Sequence, residues 1–482
     1  MDVYLEKITE VYIRVRAEPS VLMEMSEHFT FDVPGAHFSP AYKNKMWDGK
    51  IRLLHVMTGR IYYGLAYKIQ EWCKSRDYSF GIDNELIPEV TFTPEQVIEF
   101  NEDIDCPYTP RTYQCMATSV GISRDRALFL SPTASGKSLI IYLLARYHQA
   151  MGRSVLVVVP TITLVAQMNG DFKEYNNNKD LDCHMIKAGV DKYVDKDYTI
   201  STWQSLHKMK ADYFERFDVV IGDEAHNFTS KSLIGILEKC IHMKYRYGFT
   251  GTLDGSKTNK LVLEGLFGPV LEVAKTKELI ADGTLSEFDI KALVFEYTDA
   301  ERKEVKGMKY QEEIEWIISH ERRNKFIANL AQTIPGNTLI LFNFVEKHGK
   351  VLLPMIEGAG NKKVHFIHGG ISGEERERIR HEVEQSDENI ILASYGTFST
   401  GTNLKRLFNL ITASPSKSRV RVLQSIGRIL RKGEGKFKAT LYDLADDLQW
   451  KTKQNYVIQH FKERIKIYAE TGFKFKIFNI KL

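Results

Sequence analysis

The sequence predicts an α/β protein: two parallel-sheet domains in tandem, preceded by a small α+β domain. Short β-rich apolar runs alternate with helical stretches between about residues 105 and 275, and the same alternation resumes near residue 339. The first 90 residues lack that rhythm and carry no nucleotide signature. At 482 residues the chain is also too long for one ordinary core. The expected domains are 1–90, 91–282 and 283–482, the last with a basic C-terminal extension.

Taken in order, the N-terminal region offers the alternating run Val11 to Val15 and a helix-like stretch from Val21 to Glu27. The first parallel sheet is expected from Ala127 to Leu130, Val155 to Val159, Thr199 to Ser201, Val219 to Ile221 and Tyr247 to Thr250, with a loop at Asn176 to Lys179. The second is expected from Leu339 to Phe344, Val364 to Ile367, Ile390 to Ala393, Leu410 to Ala413 and Thr440 to Tyr442. Between them, Gly283 and the charged stretch Glu301 to Leu330 read as a connector with added helix.

Composition narrows the class. With 43% hydrophobic and 27% charged residues the chain is globular, and no apolar run approaches the length that crosses a bilayer. The start, Met1-Asp2-Val3-Tyr4-Leu5-Glu6, lacks the basic and apolar regions of a secretory signal, so a cytoplasmic location is expected. Five scattered cysteines never fall in C-x-x-C spacing, which speaks against disulfides and zinc. A net charge of +4 does not establish a polyanionic partner, but after residue 450 Lys451, Lys453, Lys462, Arg464, Lys466, Lys474, Lys476 and Lys481 face only Glu463 and Glu470. That end is a candidate to lie along phosphates.

Chemistry enters at Leu128-Phe129-Leu130-Ser131-Pro132-Thr133-Ala134-Ser135-Gly136-Lys137-Ser138, a strand and tight loop opening into a helix. Backbone N–H groups there can cradle phosphates, Lys137 can neutralise the β and γ charge, and the Ser138 hydroxyl can ligate Mg²⁺. The usual G-x-x-x-x-G-K-[ST] pattern has glycine where this chain has Ser131. Downstream, Phe217-Asp218-Val219-Val220-Ile221-Gly222-Asp223-Glu224-Ala225-His226 is an apolar strand ending in two carboxylates. Asp223 would hold Mg²⁺ and Glu224 would orient and deprotonate the attacking water. Either motif alone is a weak signal, whereas the two in this order and spacing point to ATP with Mg²⁺. In Gln424-Ser425-Ile426-Gly427-Arg428-Ile429-Leu430-Arg431 the spacing places Arg428 and Arg431 on one helix face as candidate arginine fingers, with Gln424 beside them.

These motifs resemble those of the superfamily 2 helicases, from about Tyr108 to Leu444. The resemblance implies two RecA-like domains and supplies further roles. Arg111 and Gln114, in Pro110-Arg111-Thr112-Tyr113-Gln114, look like the adenine-sensing segment. Thr133, Ala134, Ser135 and Gly136 would line the phosphates, with Ala134 where many helicases have glycine. Thr161 and Gln167, then Thr202 and Trp203, match segments that touch a nucleic-acid backbone. Thr250 and Thr252 look like the motif coupling hydrolysis to domain movement. Thr397 and Gly401, in Ser394 to Leu404, match the motif that reaches both nucleic acid and ATP.

Finer wording, including Pro132-Thr133 ahead of Gly136-Lys137-Ser138 and Ile426 to Lys432, is similar to the UvsW-type recombination and repair helicases of phages. That resemblance implies an ATP-dependent DNA motor on branched substrates: fork regression, Holliday-junction branch migration and unwinding of RNA–DNA hybrids. Backbone grips of this kind carry little sequence specificity. Structure selection then falls to the N-terminal run Tyr42 to Arg52, where Lys43, Lys45, Lys50 and Arg52 interleave with aromatic residues. Trp47 in that run fits either base stacking or a small local core. A motor starting near residue 95 is expected to fold and hydrolyse ATP without this region. Other classes remain open on sequence: an RNA helicase, a restriction-system translocase subunit, or an ATP-gated clamp, the last disfavoured by intact Glu224 and both arginines.

Overall fold

A computed structural model describes all residues except 34, 89, 187, 188, 254–256, 399–403, 405, 415–417, 434 and 435. They divide into two compact units, Met1–Pro132 with Gly136–Ala274, and Thr133–Ser135 with Lys275–Leu482.

The first unit opens with β1 (Val3–Lys7), β2 (Tyr12–Ala17), β3 (Thr30–Asp32), β4 (Lys50–Arg52), β5 (Arg60–Tyr62) and β6 (Phe80–Ile82). Four of these form a mixed sheet in the order β5-β2-β1-β6, while β3 and β4 pair as a separate antiparallel ribbon. Helices Pro19–His28 and Ala66–Lys74 bring Met25, Ile69 and Trp72 into a core shared with Val3, Leu5, Ile13 and Val15. The α+β character expected of this region is present.

The same unit continues with β7 (Arg126–Leu130), β8 (Val155–Val159), β9 (Cys183–Ile186), β10 (Tyr198–Thr202), β11 (Val219–Gly222), β12 (Tyr245–Thr250) and β13 (Val270–Glu272). All pairings are parallel, in the order β13-β7-β12-β11-β8-β10-β9. Burial on both faces explains why β8 reads Val-Leu-Val-Val-Val without alternation. Each of the five expected strands lies in this sheet. The edge strands β9 and β13 carry weaker apolar signals and were not foreseen.

The N-terminal sheet and the parallel sheet meet through buried polar contacts. The Arg126 guanidinium donates to Glu10 Oε2 (2.9 Å) and lies 3.5 Å over the Tyr63 ring. Tyr12 and Tyr62 stack, and both hydroxyls donate to Glu238 Oε1, at 2.6 and 2.7 Å. Gly64 approaches the helix Lys257–Phe267 so closely that a Cβ there would stand 2.1 Å from the Glu264 carbonyl oxygen. Only glycine fits.

The second unit holds β14 (Glu287–Glu296), β15 (Thr338–Phe342), β16 (Lys363–Ile367), β17 (Asn389–Ser394), β18 (Asn409–Thr412), β19 (Lys438–Asp447) and β20 (Lys474–Lys481). It too is all parallel, ordered β16-β17-β15-β18-β19-β14-β20. The stretch expected to be helical contains helices Asp299–Val305, Tyr310–Ser319 and Glu321–Thr333. Among the described residues of this unit, two ion pairs lie in the interior. Arg323 donates to Asp446, both fully buried, with Tyr297 donating to the same carboxylate. Arg464 donates to Asp443, which also accepts from Tyr468 and Thr412.

The basic C-terminal stretch is built into the second sheet. Lys474, Lys476 and Lys481 lie on the edge strand β20, beside β14, so the basic end is part of the sheet. Arg464 is not a surface cation at all: it is 2% exposed against Asp443.

Candidate ATP site and nucleic-acid surfaces

The helix Lys137–Ala150 starts where the chain turns through left-handed residues, Ala134 at φ +68° and Gly136 at +76°. Glycine takes this conformation freely and alanine does not, which explains why glycine is common at the Ala134 position of the resemblance. A Cβ on Gly136 would also strike the Gln114 amide at 2.3 Å. Gln114 is buried, with Nε2 donating to the Gly136 carbonyl (3.2 Å) and Oε1 accepting from the Arg111 backbone (2.8 Å). Its amide thus ties the segment expected to sense adenine to the phosphate loop. Arg111 is exposed and donates to the Tyr113 hydroxyl.

At the tip of β11, Lys137 Nζ sits 2.5 Å from Asp223 Oδ1 and 3.3 Å from Glu224 Oε1. Burial alone would lower the Lys137 ammonium, but the two carboxylates outweigh it and hold its pKa above the ordinary lysine value. Burial raises the Asp223 carboxyl, with Lys137 opposing. Glu224 is left-handed at φ +50°, ψ +50°, an uncommon state for a side-chain-bearing residue and a strain found at functional turns. Its N–H donates to Asp223 Oδ1 at 2.8 Å, so the turn that presents Glu224 also fixes Asp223.

His226 carries the site toward the coupling motif. Its Nδ1 lies 3.0 Å from Thr250 Oγ1 and 3.4 Å from Glu224 Oε2, and Thr250 donates to the Thr252 carbonyl at 2.9 Å. Ser138 Oγ is hydrogen-bonded to the Tyr175 hydroxyl (2.9 Å). Neither His226 nor Tyr175 was given a role from sequence. His226 was visible in the acidic motif, but Tyr175 lies 37 residues from Ser138 and had no signal.

The donor set suits the expected groups. Ser138 and Asp223 offer hard oxygens, which match Mg²⁺ completed by water and phosphate, and Lys137 matches a phosphate between them. Among the described residues no group of three His, Cys, Asp or Glu could hold another metal.

Of the expected backbone contacts on this unit, Thr161 caps the helix Ile162–Tyr175, accepting from the Leu164 N–H. Gln167 is half-buried on that helix. Thr202 is buried at the end of β10, its hydroxyl 3.2 Å from Ser205 Oγ, and Trp203 packs partly into the core beside His207. In the N-terminal region Lys43, Lys45, Lys50 and Arg52 are exposed, with Arg52 paired to Asp48. Trp47 is held locally, its Nε1 donating to the Lys50 carbonyl at 2.8 Å. The apolar groups that stand out from this tip are instead Phe38, 74% exposed, Met46, 75%, and Tyr42.

In the second unit Gln424 and Arg428 lie on the helix Arg419–Ile429. Arg431 does not, which corrects the expectation of one continuous helix face: Leu430 is the C-cap and Arg431 follows it. Thr397 is buried, its hydroxyl 2.8 Å from Ser394 Oγ. Gly401 lies outside the described residues.

Comparison with known proteins accounts for the whole chain. A model of the DNA helicase UvsW N-terminal region matches residues 2–83, one of the type III restriction enzyme res subunit matches 107–255, and one of the helicase conserved C-terminal domain matches 321–433. The ATP-dependent DNA helicase uvsW of Enterobacteria phage T4 is 31% identical over 505 residues, covering 100% of each chain. This chain belongs to the UvsW family of ATP-dependent DNA helicases. The T4 UvsW crystal structure covers 100% of both chains with a TM-score of 0.54 and 28% identity. The probable helicase D10 of Escherichia phage T5 is 22% identical, covering 91% of this chain and 94% of its own. The DNA-bound type ISP restriction-modification enzyme LlaBIII shares the fold, with a TM-score of 0.59 at 16% identity over 78% of this chain and 32% of its own. As a UvsW-family member the protein is an ATP-dependent helicase with two RecA-like domains. No described helix is long and apolar enough to cross a membrane.

Proposed function

We propose that this UvsW-family protein uses ATP and Mg²⁺ to remodel branched DNA, regressing forks, migrating Holliday junctions and unwinding RNA–DNA hybrids, in the cytoplasm of its host cell. The observation that carries the ATPase half is the Lys137 bridge between Asp223 and Glu224 at a strand tip. Bound Mg²⁺–ATP supplies the phosphoanhydride to be cleaved and a divalent charge to offset it. Lys137 offers its ammonium to the phosphates, Ser138 and Asp223 offer oxygens to the metal, and Glu224 takes the proton of the attacking water. Gln424, Arg428 and Arg431 of the second domain complete the site, the arginines adding positive charge where the transition state needs it. Neither domain holds the full set, so turnover requires closure, and closure and opening alternately tighten and relax the grip of Thr161, Gln167, Thr202 and Thr397 on the strand.

The N-terminal tip is the reader of structure. Its exposed lysines neutralise phosphates while Phe38, Tyr42 and Met46 meet unpaired bases at a branch. The test compares ATPase stimulation by four-way junctions, linear duplex, single strands, RNA–DNA hybrids and RNA. Junctions are expected to stimulate most. Equal stimulation by RNA alone would favour an RNA helicase, and stimulation by linear duplex alone a translocase of the restriction type.

A further inference from the structure

Arg431 lies beyond its helix, so something other than the helix must fix it. Helix ends leave carbonyls without partners, and here those carbonyls are answered by specific groups. Lys436, 1% exposed, donates from Nζ to the Ile429 carbonyl at 2.5 Å and to the Arg431 carbonyl at 2.9 Å. Ser286, just ahead of β14, donates its N–H to the Leu430 carbonyl (2.9 Å) and its hydroxyl to the Arg431 carbonyl (3.5 Å). Three consecutive carbonyls are thus pinned, two of them by one buried amine.

We propose that Lys436 is a positioning residue for ATP hydrolysis: it anchors the backbone of Arg431 so that this arginine is presented in a fixed place. The proposal rests on the reading of Arg431 as an arginine finger. A lysine is an expensive group to bury, and burial, followed by the neighbouring Arg431 charge, lowers its pKa to about 7. Charged or neutral, the amine keeps N–H donors for both carbonyls. Ser286 already spends both its donors on Leu430 and Arg431.

The test is a double-mutant cycle in the full-length protein. Lys436→Met removes the donors at similar volume. Displacing a catalytic group by about 1 Å costs on the order of a hundredfold in rate. DNA-stimulated kcat for ATP is therefore expected to fall roughly ten- to a hundredfold, with KM for ATP and the affinity for a fluorescent ATP analogue little changed. Placed on Arg431→Ala, the same substitution is expected to cause no additional loss in single-turnover hydrolysis, because there is no longer a side chain to position. A wild-type kcat in Lys436→Met, a parallel loss of ATP binding, or losses that multiply in the double variant would overturn the proposal. Should Lys436→Met not fold, the cycle is run with Lys436→Leu, which also removes the donors, and the same outcomes decide. Full turnover in Arg431→Ala alone is a different failure: it removes the arginine-finger reading itself.

Discussion

At the scale of single residues, the tip of β11 is a charge balance. Lys137 is the counterion of a buried Asp223, so removing it takes away a phosphate ligand and leaves a carboxylate unmatched. Lys137→Ala is expected to abolish ATP turnover and also to lower stability, by about 3 kcal/mol for a broken buried pair. Steady-state ATPase assays and urea unfolding check the two halves, and normal turnover would remove the site. Glu224→Gln keeps Asp223 and the lysine, so it should still bind Mg²⁺–ATP while hydrolysis falls to background. Equilibrium nucleotide binding beside single-turnover hydrolysis separates these effects. Most of this site was legible because Lys137, Ser138, Asp223 and Glu224 fall in two contiguous motifs. Tyr175 and Lys436 were not legible, since each acts on a motif from outside it and only folding brings the atoms together. Trp47 shows a further limit: its type fits either stacking or a small local core, and its indole N–H bonded to the Lys50 carbonyl accords with the local role.

At the scale of elements, the ten strands expected from apolar runs were found because parallel strands buried on both faces need such runs. β14 and β20 escaped for opposite reasons. β14 falls between Gly283 and Glu301, where the sequence reading places no strand although Glu-Phe-Asp-Ile-Lys-Ala alternates with period two, and in β20 the lysines mask the apolar positions. Lysines on an edge strand also discourage pairing with other chains. A helix start supplies another test. Glu313, 2% exposed on helix Tyr310–Ser319, accepts from the Asn455 amide and from the Tyr456 and Val457 N–H groups, capping helix Tyr456–Thr471. Glu313→Ala leaves buried donors unmatched and should cost about 3 kcal/mol, or roughly 10 °C in the melting of this unit. A melting curve that does not move would show that water replaces the carboxylate.

At the scale of the whole molecule, the N-terminal region has its own sheet and core but is fastened to the first parallel sheet. Deleting residues 1–90 uncovers Arg126 and Glu238 and strips Arg126 of Glu10, so the remaining motor is expected to be insoluble or to melt well below the full chain. Expression and calorimetry of the truncation test this, against the sequence expectation of an independent motor. Acid gives a second test. His148 and His348 are fully buried, and burial lowers each to about 3 from the ordinary 6.5. Their depressed folded values mean that the unfolded chain takes up protons first as pH drops below about 6.5. Stability should decline by up to about 1.4 kcal/mol per pH unit for each histidine, down to about pH 3. Urea midpoints that stay level between pH 7 and 5 would contradict this. Both units carry one such histidine, so both should weaken.

The contact at Gly64 sets how force travels. Backbone meets the helix Lys257–Phe267 there with no room for even a methyl group, and charged anchors lie on either side. The N-terminal region is therefore fastened to the first sheet without a hinge at this contact. If the tip holds DNA as proposed, any rotation of the first sheet would carry that DNA with it. Travel at the branch would then follow from where the region is fastened and not from the slack of a tether.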